Sequence, residues 1–211
     1  MANTNGAFGL RPIGVVGQAA NTTGATEYRI AAGNTNTIFQ GSPVIPLSTG
    51  FIDKVGAATG GTVGLVGVFW GCEYVSSTTG ETIFSNNWPG SGADTNHPVK
   101  AFVYDNPMQT FVICSDASLT SAATAQGHVF ANANFADGAA GSSSTGISSA
   151  KLGVSTINTT ANLNLRIMGI QDDPENSDFT AAGIPVIVRL NNSFNSANGA
   201  IAGGTVSTTG V

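Results

Sequence analysis

The chain has 211 residues, of which 7 are Lys or Arg, 12 are Asp or Glu and 2 are His, so the formal net charge is −5. Only 9% of the residues are charged, against about 25% in an ordinary globular domain, while 41% are hydrophobic. Disorder requires low hydrophobicity with high net charge, and duplex binding requires a basic patch. The composition therefore excludes a disordered chain and argues against a nucleic-acid-binding protein, because the cations are scattered singly.

Residues 1–26 are predicted to form an extended N-terminal arm. Gly, Asn, Thr and Ala dominate this segment, which carries one apolar cluster at residues 8–13. An exposed apolar cluster implies a partner, so we expect this cluster to contact neighbouring chains. The alternative is that it packs on its own domain. The first residues show neither the basic region nor the apolar stretch of a secretory signal, and no stretch is long enough for a membrane helix.

Residues 27–192 are predicted to form one β domain, because short apolar runs alternate with turn residues. The segment 162–171 shows the clearest period of two, with Leu163, Leu165, Ile167 and Gly169 on one face. Ser48-Thr49-Gly50 is a hairpin signal. Strands are predicted at 27–30, 38–40, 43–47, 51–55, 63–75, 81–84, 99–105, 109–115, 151–157, 162–171 and 184–191, with weak alternation at 128–135.

Other segments complete the predicted domain organisation. The Ala-rich residues 118–126 are the one candidate for a short helix. Residues 136–149 are predicted to be a mobile Gly/Ser loop, and residues 193–211 a C-terminal tail. The spacing of turns is typical of an all-β fold, either a jelly-roll-like sandwich or a tulip-like small β-barrel, with at most one or two short helices.

The sequence offers little for catalysis or metal binding. The acidic cluster at 172–178 lacks the spacing of a calcium loop and is interpreted as a solvated turn. His97 and His128 have no apparent third partner for a zinc site. We therefore predict that the protein is not an enzyme and needs no metal or cofactor. Cys72 and Cys114 could form a disulfide between strands, but two buried free thiols are favoured because cysteine packs as a small hydrophobe.

Four segments of the sequence stand out together. They are NGAFGLRPI at 5–13, FQGSPV at 39–44 with TGFI at 49–52, GVFWGCEY at 67–74 with FSNNWPG at 84–90, and AFVYDNP at 101–107 with TF at 110–111. In this order the four segments resemble the head decoration (cement) proteins of tailed bacteriophages. Ser42 stands where the family pattern has an acidic residue, and the tail beyond residue 192 is longer than expected.

The resemblance implies a structural protein of the virion, made in the host cytoplasm and bound to the outer surface of the capsid. Its partner would be the major capsid protein, whose subunits it would hold together. Symmetry favours a homotrimer first and a dimer second, and no nucleic acid or membrane partner is expected. The residues predicted to bind the capsid are Phe8, Leu10, Arg11, Pro12 and Ile13.

Two other functions stay open from the sequence. One is a tail or fibre component, which would also be rich in strands and poor in charge. The other is a carbohydrate-binding module, in which Trp70, Trp88, Tyr74 and Tyr104 would form a stacking platform. We expect Trp70 to be buried, because it lies inside an apolar run, and Trp88 to be the exposed tryptophan.

Overall fold

The computed structural model of the protein describes residues 3–17, 24–57 and 64–196. These ranges contain mainly short strands, one short helix, α1 (Ala122–Gly127), and two single-turn 3-10 helices, Val154–Thr156 and Pro174–Asn176. The predicted all-β fold is confirmed. The strands are β1 (Arg11–Val15), β2 (Thr26–Ile30), β3 (Pro43–Pro46), β4 (Ile52–Lys54), β5 (Gly67–Val75), β6 (Thr82–Ser85), β7 (Val99–Tyr104), β8 (Gln109–Cys114), β9 (Asn132–Ala133), β10 (Phe135–Ala136), β11 (Gly141–Ser142), β12 (Ile147–Ser148), β13 (Lys151–Leu152), β14 (Leu165–Ile170) and β15 (Pro185–Leu190).

The strands form two main antiparallel sheets. The five-stranded sheet has the order β1-β8-β15-β14-β9, and the six-stranded sheet has the order β2-β7-β5-β3-β4, with β6 paired to β5. Two small ribbons, β10–β13 and β11–β12, lie outside these sheets. The six-stranded sheet is curled, so that its two end strands β2 and β4 come into contact.

Two apolar clusters hold the sheets together, and β3 contributes to both. Ile45 points into the core between the two sheets, where it joins Phe111 and Val188 of the five-stranded sheet. Val44 points into a second core inside the curl of the six-stranded sheet, with Trp88. The protein is therefore a sandwich in which one of the two sheets curves towards a barrel, and strand β3 and the first half of β5 in this curved sheet are buried on both faces.

The predicted hairpin and helix are present. Residues 47–51 connect β3 to β4, and Gly50 has φ +81°, a conformation that glycine adopts without steric cost. Helix α1 begins four residues later than predicted, because the Ser121 side chain caps it by accepting a hydrogen bond from the backbone N–H of Thr124 at 3.1 Å. The described part of the chain contains no helix that is long and apolar enough to cross a membrane.

The residues 136–149, which the sequence predicts to be a mobile loop, include regular structure. This stretch contains the β11–β12 ribbon, and the backbone of Ser148 bonds to that of Gln40 at 2.9 Å. Gly141 lies so close to the Phe39 ring that a Cβ atom there would be 2.2 Å from it. The small residues that look like low complexity in the sequence are thus needed for close packing.

Other predicted strands are shorter than expected. Residues 38–40 make isolated bridges through Ile38 and Gln40 instead of a strand. The run 151–157 turns into a 3-10 helix after Leu152, where the side chain of Asp116 accepts a hydrogen bond from the backbone N–H of Val154 at 2.8 Å. Val63, the predicted start of another strand, and residues 197–211 of the predicted tail lie outside the described residues.

Both cysteines are free and buried, as the favoured interpretation of the sequence predicts. Cys72 lies in the core inside the curled sheet, and Cys114 lies on β8 of the other sheet. Burial raises the pKa of the Cys72 thiol to about 12 and also raises the pKa of the Cys114 thiol. Because the thiolate is the reactive form, both groups are protonated and shielded at neutral pH.

We expect neither thiol of the folded protein to react promptly with Ellman's reagent at pH 8, and both to react after denaturation in guanidinium. The physical reason is that burial disfavours the thiolate and blocks access of the reagent. Absorbance at equilibrium counts the thiols in each state. A denatured chain with no reactive thiol would instead indicate a disulfide.

Candidate interaction surface

The five-stranded sheet has one face in the core and one face turned away from it, which we call the outer face. Inward residues such as Phe111 and Val188 are fully buried between the sheets. Because successive side chains of a strand point to opposite faces, the residues next to these inward residues along each strand belong to the outer face. One row crosses all five strands there: Gly14, Thr110, Arg189, Arg166 and Asn132.

The predicted N-terminal arm forms the edge of this sheet. β1 pairs with β8, and Leu10, just before it, is fully buried in the core between the sheets. Further towards the N-terminus, the backbone N–H groups of Thr4 and Asn5 donate to Oδ1 of Asn176 at 2.8 and 2.7 Å. Residues 3–17 are thus part of the domain, as in the alternative interpretation, because burying Leu10 removes a large apolar side chain from water. Residues 18–23 of the predicted arm lie outside the described residues.

Strand β1 contains a bulge at Ile13. Pro12 pairs with Phe111 and Gly14 with Thr110, which leaves Ile13 as the extra residue, with 47% of its surface exposed. The carbonyl oxygen of Gly14 accepts hydrogen bonds from the side chains of Gln109 at 2.7 Å and Thr110 at 2.8 Å. Proline and bulges on an edge strand oppose uncontrolled pairing with other chains. This edge therefore presents side chains more readily than backbone donors.

The structure brings three of the five predicted capsid-binding residues together. Phe8, Arg11 and Ile13 line one groove on the outer face, together with Val112 and Asp173. The guanidinium of Arg11 lies over the Phe8 ring, 4.6 Å from its centroid, a favourable cation–π contact. The other two predicted residues are elsewhere: Leu10 is in the core, and Pro12 is half-buried opposite an inward residue.

Two arginines that the sequence analysis did not select lie directly opposite each other on the outer face. Arg166 on β14 and Arg189 on β15 are cross-strand partners. Arg166 donates from Nε to Oδ1 of Asn132 at 3.0 Å, whereas Nε of Arg189 is buried without a partner. Burial, and secondly the charge of Arg166, lower the pKa of Arg189. The alternation in β14 and β15 could have placed each arginine outward, but the register that joins them depends on tertiary pairing.

The arginines of the outer face differ from most other cations in their partners. Arg29, Lys100 and Lys151 each lie within 4 Å of a carboxylate, at 3.9, 3.0 and 3.6 Å respectively. Within the described ranges 3–17, 24–57 and 64–196, Arg11, Arg166 and Arg189 have no carboxylate that close. The outer face thus carries three arginines with no described carboxylate within 4 Å in a chain whose net charge is −5, although Asp173 lines the same groove as Arg11.

Exposed apolar side chains border the same face. Met108 is 39% exposed and its sulfur is 3.5 Å from Nη1 of Arg189. Phe130 is 75% exposed, and its backbone N–H donates to the carbonyl of Ile167 on β14 at 2.9 Å. Phe130 has φ +74°, a conformation that is strained for a bulky residue. Together with Ile13, these residues give the outer face an apolar margin.

No family model matches this chain, and comparison with curated proteins and with solved structures found no match either. The assignment of a function therefore depends on the sequence segments described above and on the surface that they form.

Trp88, which the sequence predicts to be exposed, is buried, and Trp70, which it predicts to be buried, is half-buried. Trp88 is fully buried in the core of the curled sheet, where Tyr74 packs edge-on against it at 5.4 Å between ring centroids. Trp70 is half-buried and packs against Tyr104. Trp88 is buried because its loop closes over the curled sheet through backbone bonds with Ile38. The proposed stacking platform of four aromatic residues is therefore divided between different environments.

The acidic and histidine residues that the sequence analysis considered as metal ligands make contacts within turns and helix ends. Asp173 caps a 3-10 helix, accepting from the backbone N–H of Glu175 at 3.1 Å, and His97 lies 2.8 Å from Asp94 in an exposed turn. His128 ends α1. Among the residues that the structure describes, no group of three or more His, Cys, Asp or Glu is placed to hold a metal ion.

We expect Leu10→Ala to lower the free energy of unfolding by about 2–5 kcal/mol, because it leaves a cavity between the sheets. Ile13→Ala, three residues away on the exposed bulge, should change it by about 0.5 kcal/mol or less. Urea unfolding followed by tryptophan fluorescence measures both. Equal effects of the two substitutions would mean that the N-terminal segment does not pack as described.

We expect a chelator to leave the thermal midpoint unchanged, because the carboxylates of the acidic cluster serve as caps and turn acceptors. Differential scanning calorimetry with and without EDTA, at constant ionic strength, checks this expectation. A drop of several degrees with EDTA, reversed by added calcium, would contradict it.

Proposed function

We propose that the protein is a head decoration protein that binds the outside of a tailed-phage capsid through the outer face of its five-stranded sheet. One observation carries the proposal: the segment NGAFGLRPI, which opens the resemblance to that family, forms the rim of this face. It does so with Leu10 anchored in the core and with Arg11 and Ile13 exposed. A segment fixed in this way presents its exposed residues without the entropic cost of ordering a free arm.

Cement proteins act by burying surface across several subunits, and the exposed chemistry of this face suits that task. Ile13 and Met108 are among the large apolar side chains that the fold leaves in water. Burying apolar surface contributes about 25 cal/mol per Å², so a few such side chains supply substantial affinity. With so few charges in the chain, exposed ion pairs, each worth under about 1 kcal/mol, can contribute little.

Oligomerisation would multiply these contacts. We propose a homotrimer, with a dimer as the second choice, because closed symmetry is usual in oligomers and capsids offer three-fold positions. Several copies binding together raise the overall avidity far above the affinity of one copy.

We expect Ile13→Asp to weaken attachment to heads that lack the protein by at least about tenfold, since burying a charge in an apolar contact is unfavourable. Phe84→Asp is the matched control, because Phe84 is 72% exposed on β6 of the other sheet. Sedimentation of heads with bound protein measures the occupancy, and circular dichroism checks the fold. Equal occupancy for both variants would contradict the proposed surface.

We also expect attachment to withstand high salt, because screening acts mainly on exposed charges and largely spares buried apolar contacts and half-buried arginines such as Arg166 and Arg189. Heads carrying the protein should resist osmotic shock better than heads without it. Release of the protein at modest salt, or equal robustness of both kinds of head, would favour a tail component instead.

A further inference from the structure

The arginine pair of the outer face is an unfavourable arrangement for the isolated chain. Arg166 and Arg189 are direct cross-strand neighbours, and like charges in that position destabilise a sheet. Both are half-buried, so solvent screens them less than it would on an open surface. A carboxylate between them would relieve the repulsion, and within the described residues the chain supplies none within 4 Å.

The hydrogen-bonding capacity of the pair is largely unused. A guanidinium has five N–H donors. Arg166 uses Nε on Asn132, and Arg189 has only the sulfur of Met108, a weak acceptor, at 3.5 Å. The buried Nε of Arg189 has no acceptor. Two planar forks with free donors match the geometry of carboxylates.

The surroundings of the pair favour a protein ligand over a nucleic acid. Met108 is partly exposed and contacts Arg189, and the exposed Phe130 bonds through its backbone to Ile167, the chain neighbour of Arg166. Aromatic residues, Met and Arg are enriched in protein interfaces. A nucleic acid requires several phosphate contacts along its backbone. The remaining surface of a chain with net charge −5 would repel such a polyanion.

We propose that Arg166 and Arg189 form a clamp for a carboxylate on a partly apolar segment of a partner protein, which binds along the outer face. The identification of that partner as the capsid protein rests on the proposed function. The clamp itself rests only on the register, the free donors and the apolar margin.

The test uses the whole protein and a short amidated peptide of alternating leucine and glutamate as the probe. Titration is followed by NMR of the arginine Nε–H signals. We expect saturable shifts for Arg166 and Arg189 at up to millimolar peptide, and none for Arg29, which already has Glu27 nearby. A peptide with glutamine in place of glutamate should produce no such shifts. Absence of saturable shifts, or the same shifts with the glutamine peptide, overturns the clamp.

Substitutions separate binding from folding. Arg166→Gln and Arg189→Gln should each weaken peptide binding about tenfold, the loss expected for a charged hydrogen bond, whereas the matched control Arg29→Gln should not. The Arg189→Gln variant should also have a melting temperature equal to that of the native protein or up to about 4 °C higher, because the repulsion between the two arginines is removed. Unchanged peptide affinity in both variants overturns the clamp.

Two further experiments identify the kind of molecule that binds the arginine clamp. Tighter binding of an oligothymidine than of the acidic peptide would overturn a protein ligand in favour of a nucleic acid. Self-association that Arg166→Gln/Arg189→Gln abolishes in sedimentation would overturn a foreign partner in favour of a second copy of the chain. If native protein fails to bind heads while the peptide binds through the arginines, the proposed function fails and the clamp stands.

Discussion

The packing of the two sheets across one apolar core determines which surfaces of this protein can contact other molecules. The central strands β3 and β5 of the six-stranded sheet pack on both faces, against the shared core and against the interior of the curled sheet. The five-stranded sheet shares only one face with that core, and among residues 3–17, 24–57 and 64–196 no second sheet packs on its outer face. Leu10 ties the N-terminal segment to the same core, which makes this segment the rim of the outer face.

That arrangement explains how a chain with so few charged residues can still have a distinctive surface. Arg29, Lys100 and Lys151 lie beside carboxylates. Among the residues that the structure describes, the arginines of the outer face do not, and they are aligned by strand register rather than by sequence proximity. Arg11 lies in the cross-strand row of Val112 and Ile187, and Arg189 lies in the adjacent row. Rows two residues apart along a strand are separated by about 7 Å, so these charges and the apolar side chains between them can meet a single partner.

Much of the fold could be predicted from the sequence, because turn residues separate the apolar runs and strands need only local alternation. The run 162–171 illustrates this, since Leu165 and Ile167 are buried as its period of two predicts. The N-terminal segment could not be predicted in the same way. Whether Phe8 to Ile13 stays free or docks depends on the unoccupied edge of β8, which is a tertiary feature. The burial of Trp88 could not be predicted for a similar reason, because a loop residue beside proline is buried only when that loop closes over a curved sheet.

The central claim is that the outer face of the five-stranded sheet is the surface that meets the capsid. Cryo-electron microscopy of heads saturated with the native protein tests it most directly, because it shows which face of the bound chain contacts the shell. The account predicts that Ile13, Arg166 and Arg189 lie against the capsid protein, with a carboxylate of that protein beside the arginines. Bound protein whose outer face is turned to solvent, or heads that remain bare, would contradict it.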